Sequence, residues 1–292
     1  LNGLHTISSH HLCCCFMRVL ALSPGSLQQQ LERLPALAAA ADQLEASLQV
    51  ACDPSHGGLW TMLPAVKKVI PFPFEADPNL SDWANLLGLV REPDFQACLN
   101  FATGRQVNLM LSMSHIPMRV ATEGFASTAS ATVEAGWTPQ KLEAFLSPMG
   151  VSLNADAFRL SLPADAMKKA RSAQPSGDGP LLLLAPGAFP GDWPQERWTS
   201  LPETIRNKLP QLRSLVLPTN LPIAERAAAV ACADVVLSSC SLTQLMATYC
   251  GLPLVALGAK ADQLPEREMI RRLDREDLSS LTVSDVMQAL GF

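Results

Sequence analysis

The chain has 292 residues, 48% of them hydrophobic, and a formal net charge of −5. That length exceeds one ordinary core and suits two domains of about 130 to 150 residues each. No apolar run approaches the ~20 residues of a membrane span, and no basic block supplies the face of a nucleic-acid binder, since Lys67–Lys68, Lys168–Lys169 and Arg271–Arg272 are isolated pairs.

The eight cysteines show no C-x-x-C and no Cys/His zinc spacing, so they read as free, buried thiols of a cytosolic protein. Residues 1–16 have neither a charged nor a properly apolar leader region and read as a disordered or non-native extension. Met17 then opens a clean strand and is taken as the working start, which leaves His5, His10 and His11 outside any catalytic argument.

From Met17 short apolar runs alternate with longer amphipathic ones, the pattern of β-α units and a parallel sheet. Strands are expected at 17–22, 48–52, 68–74, 95–100 and 118–121. Helices are expected at 27–48 with an interruption near Pro35, then at 60–63, 81–92, 105–112, 137–147 and 165–173. Residues 127–136 read as a polar stretch, and 158–162 as a strand or an extended crossing. The segment 174–180, Gln-Pro-Ser-Gly-Asp-Gly-Pro, is the linker candidate because its residues favour turns and cannot build a core.

The alternation then restarts, with strands at 181–185, 214–217, 235–238 and 254–257 and helices at 197–209, 224–233, 242–250 and 283–290. The restart implies an α/β chain of two Rossmann-like domains, 17–173 and 181–292, with parallel sheets facing across a cleft. Ligands in such sheets sit beyond the carboxyl ends of the strands.

Three strand-to-helix junctions carry the chemistry. They are Ser23-Pro-Gly-Ser26, Ala185-Pro-Gly-Ala188 and Ser238-Ser-Cys-Ser-Leu-Thr243. A helix start rich in small hydroxyl residues is either an anion site, through free N–H groups and the helix dipole, or an ordinary N-cap by Ser239 or Ser241. None of the three junctions offers Gly-x-Gly-x-x-Gly with an acidic residue about 20 positions on, which argues against a dinucleotide-dependent oxidoreductase.

Several segments resemble the ADP-heptose lipopolysaccharide heptosyltransferases, glycosyltransferase family 9. The opening from Met17 through Ser23-Pro-Gly-Ser26 to Leu34-Pro-Ala-Leu37 is similar to that family's first strand, turn and helix. Leu63-Pro-Ala-Val-Lys-Lys-Val69, Pro93-Asp-Phe95 with Ile116-Pro-Met-Arg-Val120, and Ala185-Pro-Gly-Ala188 with Trp193-Pro-Gln-Glu-Arg-Trp198 follow in the family's order.

The resemblance implies a GT-B architecture and transfer of a heptose or hexose from a nucleotide sugar to a glycan or lipid-linked acceptor in cell-envelope polysaccharide synthesis. It implies a cytoplasmic protein with at most peripheral membrane contact. No cofactor is implied beyond the nucleotide-sugar substrate, and no metal, there being no Asp-x-Asp pair. Donor contacts would fall on Gly187, Ala188, Ser239, Ser241, Leu242 and Thr243. Acceptor contacts would fall on Ser23, Gly25, Ser26, Gln29 and Arg105.

The chain departs from the family where chemistry is expected. Gln28-Gln29 occupies the place of a Gly-Asp whose Asp serves as base, Gly191 the place of a phosphate-contacting Lys, and Ser239-Cys-Ser241 the place of Asp-Thr/Ser-Gly. An amide cannot accept the proton, so a displaced base is sought among Glu32, His56 and Asp192, with Glu123 a further acidic option. Each also has a plain reading: Glu32 solvated beside Arg33, His56 an ordinary loop residue, Asp192 a helix cap. The alternative is a catalytically inactive relative that binds a nucleotide, a glycan or a protein partner.

Overall fold

The computed structural model describes residues 17–292, so the extension expected over 1–16 lies outside the described residues. The first sheet contains β1 (Met17–Leu22), β2 (Ala46–Cys52), β3 (Val66–Pro71), β4 (Ala97–Asn100), β5 (Met118–Ala121) and β6 (Ala129–Ser130). Their order is β3-β2-β1-β4-β5-β6 with every ladder parallel, the doubly wound arrangement of a Rossmann sheet. The central strand β1 pairs Met17 with Ala46 on one side and Val19 with Ala97 on the other. Val19 to Leu22 are all fully buried, as expected of a parallel strand covered on both faces.

Helices α1 (Leu27–Gln43), α2 (Leu80–Arg91) and α3 (Arg105–Met113) make the crossovers. Two short helices, α4 (Thr138–Lys141) and α5 (Glu143–Leu146), pack against α1. The chain then crosses to the second sheet in extended form without a ladder, where the Leu160 amide donates to the Tyr249 carbonyl at 3.3 Å. Helix α6 (Ala164–Ser172) follows.

The second sheet contains β7 (Leu181–Ala185), β8 (Arg213–Val216), β9 (Val235–Ser238), β10 (Leu254–Leu257) and β11 (Ile270–Leu273) in the order β11-β10-β9-β7-β8, again all parallel. Its helices are α7 (Gln195–Arg206), α8 (Ile223–Ala231), α9 (Ser241–Cys250) and α10 (Val283–Leu290). Helix α6 packs on α8, with Lys169 and Glu225 paired at 2.7 Å.

One apolar core runs through both halves, joining Leu31, Leu34 and Leu37 of α1 to Leu245, Met246 and Tyr249 of α9. Separate cores cover the far faces, with Leu20, Leu22, Phe72 and Leu86 on the first sheet and Leu184, Trp193 and Trp198 on the second. Tyr249 is fully buried in the shared core, against Phe158 at 5.0 Å between ring centroids, and its hydroxyl has no hydrogen-bond partner among the described residues. An unpaired buried hydroxyl costs about 1–3 kcal/mol. Tyr249→Phe is therefore expected to leave stability unchanged or raise it by about 1 kcal/mol in urea unfolding.

Several elements differ from the sequence expectation. Helix α1 runs unbroken through Pro35 and ends at Gln43, because Pro35 is buried against the core and tertiary packing offsets the lost hydrogen bond. The next strand accordingly starts at Ala46, not residue 48. The expected helix over 137–147 is divided at Leu142 into α4 and α5. β3 is displaced to Val66–Pro71 from the expected 68–74, since the chain turns after Pro71 and the Phe74 amide bonds the nearby Phe72 carbonyl. β6 and β11 were not expected: β6 is two residues inside a polar stretch, and β11 is an edge strand with Arg271 and Arg272 at its centre.

Among the described residues, no helix is long and apolar enough to cross a membrane. Cys52, Cys98, Cys232, Cys240 and Cys250 are free thiols, and burial raises the Cys98 and Cys52 values above the ordinary range.

Candidate functional site

Strand order reverses between β1 and β4 in the first sheet and between β7 and β9 in the second. The carboxyl ends of these strands are where a doubly wound sheet leaves room for a ligand. Beyond β1 the chain makes the Ser23–Ser26 turn. Gly25 has φ +91°, and a Cβ there would meet the Gln29 side chain at 2.0 Å, so the turn requires glycine. Ser26 caps α1: the Gln29 amide donates to Ser26 Oγ at 3.4 Å, and the Ser26 amide donates to Gln29 Oε1 at 2.9 Å. Gln29 is thus engaged in a capping box, and the S-x-x-Q pattern that signals one is present in the sequence.

Two buried polar residues of α1 hold the same turn and were not singled out from the sequence. Gln30 donates to the carbonyls of Ser23 and Pro24, each at 2.8 Å, and accepts from Ser23 Oγ at 2.5 Å. Arg33 donates through Nη1 to Ser23 Oγ at 2.8 Å and to the Pro24 carbonyl at 2.5 Å. Its guanidinium lies 4.7 Å from the centroid of the Phe101 ring. Ser23 is fully buried beneath this network, and the Gly25 amide is taken by Glu75.

The second switch point is also tightly bonded. The Gly187 amide donates to Ser239 Oγ at 2.8 Å, and the Ala188 amide, at φ +55°, donates to Asp192 Oδ2 at 2.9 Å. Asp192 Oδ1 accepts from the Trp193 amide at 2.7 Å. Both Asp192 oxygens therefore close the 187–193 turn.

Helix α9, by contrast, starts without a side-chain cap, and the amides of Ser241, Leu242 and Thr243 meet no acceptor among the described residues. These are the free donors of a helix N-terminus, carrying about half a positive charge. Of the three side chains, Ser241 is exposed, Leu242 is half-buried, and Thr243 is buried with its hydroxyl accepting from Arg226 at 3.0 Å.

The start of α9 meets α1. Ser241 Oγ donates to Gln28 Oε1, and Gln28 Nε2 donates to Glu32 Oε1 at 3.2 Å, giving a hydrogen-bonded line from the second sheet's helix to a carboxylate of the first. Gln28, Glu32 and Ser241 line one cavity of 170 Å³ with Thr138, Gln244, Leu245, Asp262, Gln263 and Leu264. Burial raises the Glu32 pKa, while the Gln28 hydrogen bond and the charges of Arg33 and Lys141 oppose the rise. A carboxyl raised in this way is a better proton acceptor near neutral pH than an ordinary surface glutamate.

The other expected residues lie apart from this cavity. His56 is half-buried in the 3₁₀ segment Pro54–Met62, which packs on α8, and its Nδ1 has no partner among the described residues. Arg105 is exposed at the start of α3. Thr138, Asp262 and Gln263 were not anticipated. The latter two follow β10 at its carboxyl end, a position that the strand pattern alone would have marked.

Two parallel, doubly wound sheets thus bring helices from both to one polar cavity. Among solved structures the chain is similar to the glycosyl transferase family 9 protein from Veillonella parvula, at 13% identity over 94% of this chain and 96% of that one, with a TM-score of 0.78. It is also similar to Escherichia coli ADP-heptose lipopolysaccharide heptosyltransferase II (14% identity, 94% and 98% covered, TM-score 0.72). The E. coli heptosyltransferase WaaC solved with ADP follows at 18% identity, 94% and 99% covered, and a TM-score of 0.67. The resemblance read from the motifs is thus met by the fold. No family model and no curated protein sequence matches the chain.

Proposed function

We propose that the chain transfers a glycosyl group from a nucleotide sugar to a hydroxyl of a glycan or lipid-linked acceptor, at the cavity between α1 and α9. In this reading the two sheets face each other across a cleft, and the reacting groups meet where their helices touch. The acceptor hydroxyl gives its proton to the Glu32 carboxylate as its oxygen bonds the anomeric carbon. The bond from that carbon to the leaving phosphate oxygen breaks, and the nucleoside diphosphate departs with its new charge toward the free amides of α9. Glu32 thereby takes the role that Gln29, held in its capping box, cannot fill.

The observation that carries this reading is one cavity holding both a half-buried carboxylate and an uncapped helix start. The neighbour solved with ADP supports a nucleoside diphosphate as the donor's leaving group. A heptose or hexose donor and a role in cell-envelope polysaccharide synthesis in the cytoplasm extend the same proposal. Incubation with ADP, UDP, GDP and CMP sugars, followed by chromatography of the free nucleotide, is expected to show release from one class. Release from none, with and without glycan acceptors, contradicts transfer.

A second reading is favoured by a specific observation. The Gly187 and Ala188 amides, expected to contact the donor, are already bonded to Ser239 and Asp192. A chain that keeps those bonds lacks two donor contacts and serves to bind a glycan or a protein partner without turning over a nucleotide sugar. It then shows binding but no release.

A further inference from the structure

A second polar cavity, of 340 Å³, opens beside the one at α1 and α9 and is lined by Thr132, Glu134, Trp137, Gln140, Lys141 and Glu143 together with small residues. The two cavities share α4 as a wall. Thr138 at its start lines the smaller cavity with Gln28 and Glu32, while Lys141 at its end lines the larger. An occupant of the larger cavity therefore sits one short helix from the carboxylate assigned as base.

The floor of this cavity is fixed. Gln140 Nε2 donates to Glu143 Oε2 at 3.1 Å and to the Leu153 carbonyl at 2.7 Å, and Gln140 Oε1 accepts from the Ala155 amide at 2.9 Å. Glu143 Oε1 accepts from the Leu153 amide at 3.0 Å. The Trp137 indole N–H donates to the Gln263 carbonyl at 3.1 Å, which ties the ring to the loop after β10. Thr132, Glu134 and the Lys141 ammonium make no side-chain hydrogen bond among the described residues, so they are the groups open to a ligand.

The volume lies at the small end of the roughly 300–1,000 Å³ typical of ligand pockets and suits a single sugar ring. An indole beside hydroxyl, carboxylate and ammonium groups matches the two sides of a sugar, one of C–H and one of O–H. The charge is unbalanced: two carboxylates, Glu134 and Glu143, stand against one ammonium, Lys141. That excess repels an anionic ligand.

We propose that this cavity is an outer acceptor subsite, taking a hexose ring with no anionic group that lies beyond the acceptor ring reacting at Glu32. The assignment rests on the glycosyltransferase reading for its purpose, though not for its binding chemistry. The test is ligand-observed NMR titration of the full chain with methyl glucoside, glucosamine and glucuronate, alongside the nucleotide-release assay. Methyl glucoside and glucosamine are expected to bind, and glucuronate to bind at least about threefold more weakly, the factor for one like charge some 7 Å away in water. Glu134→Lys is expected to remove or reverse that preference. Thr132→Trp, at an exposed position, is expected to abolish sugar binding while leaving the melting temperature unchanged.

Equal binding of all three sugars, binding that survives Thr132→Trp, or no binding at all overturns the subsite, even if nucleotide is released. The expected sugar preference without nucleotide release from any donor leaves the subsite standing and overturns transfer instead.

Discussion

Glu32→Gln is expected to lower the rate of transfer by about 10²- to 10⁴-fold, the usual contribution of a positioned general base. The substitution keeps the size of the side chain and a group able to accept from Gln28, so the line from Ser241 through Gln28 survives. What it removes is the proton acceptor. Nucleotide affinity is expected to stay within about twofold, because the donor's phosphates are assigned to α9.

The pH dependence follows from the direction of the pKa shift. Burial raises the Glu32 value, and the base works ionised, so the acidic limb of kcat/KM is expected above the ordinary glutamate value of about 4.3. Activity is present above the raised pKa and is lost as pH falls through it.

Stability moves the other way. A carboxyl whose pKa is raised on folding contributes stability below its unfolded pKa and loses it as pH rises through the folded value. Glu32→Gln should therefore be at least as stable as the parent at neutral pH, which separates a catalytic loss from unfolding. A variant with the parent's rate places the base elsewhere.

Arg33→Met is expected to cost about 2–4 kcal/mol of stability in chemical denaturation, through the loss of two charge-assisted hydrogen bonds. Arg33 is only 8% exposed, and burial pulls its pKa down to about 10, so it remains charged at neutral pH. Its charge is held by Ser23 Oγ, the Pro24 carbonyl and the Phe101 ring. Methionine replaces the stem but none of these contacts, and it leaves the Pro24 carbonyl and the Ser23 hydroxyl with Gln30 as their remaining partner. Because the same bonds set the β1–α1 turn, Gln28 and Glu32 at the start of α1 should shift, and turnover should fall as well. A loss below about 0.5 kcal/mol, typical of surface substitutions, shows that Arg33 does not hold the turn.

The regular parts of the fold were legible because their signals are local. Five consecutive apolar residues at Leu181–Ala185 between Pro180 and Pro186 have no other good reading than a buried strand. β11 was not legible, because an edge strand needs no apolar alternation: its Arg271 and Arg272 reach the carbonyls of Gln288, Ala289 and Ala261 instead. Pro35 misled because helix propensity is a local quantity and its burial is not.

The candidate site divides in the same way. The capping box at Ser26 and Gln29 is written in four consecutive residues and explains why that position carries an amide. The setting of Glu32 is not local, for the Ser241 hydroxyl that bonds Gln28 comes from 213 residues away. The self-bonding of Asp192 with the Ala188 amide depends on a positive φ that alanine rarely adopts and that no propensity would suggest.

The central claim is that the cavity joining α1 to α9 holds a nucleotide sugar. The measurement that tests it most directly is a thermal-shift screen of nucleoside diphosphates and their sugars against the parent chain and Ser241→Trp, whose indole fills the cavity. Ligand at 100 times its Kd adds about 2.7 kcal/mol, so one nucleotide class should raise the parent's Tm by about 4–5 °C. The account predicts that this rise disappears in Ser241→Trp. No rise with any nucleotide, or an equal rise in both proteins, contradicts it.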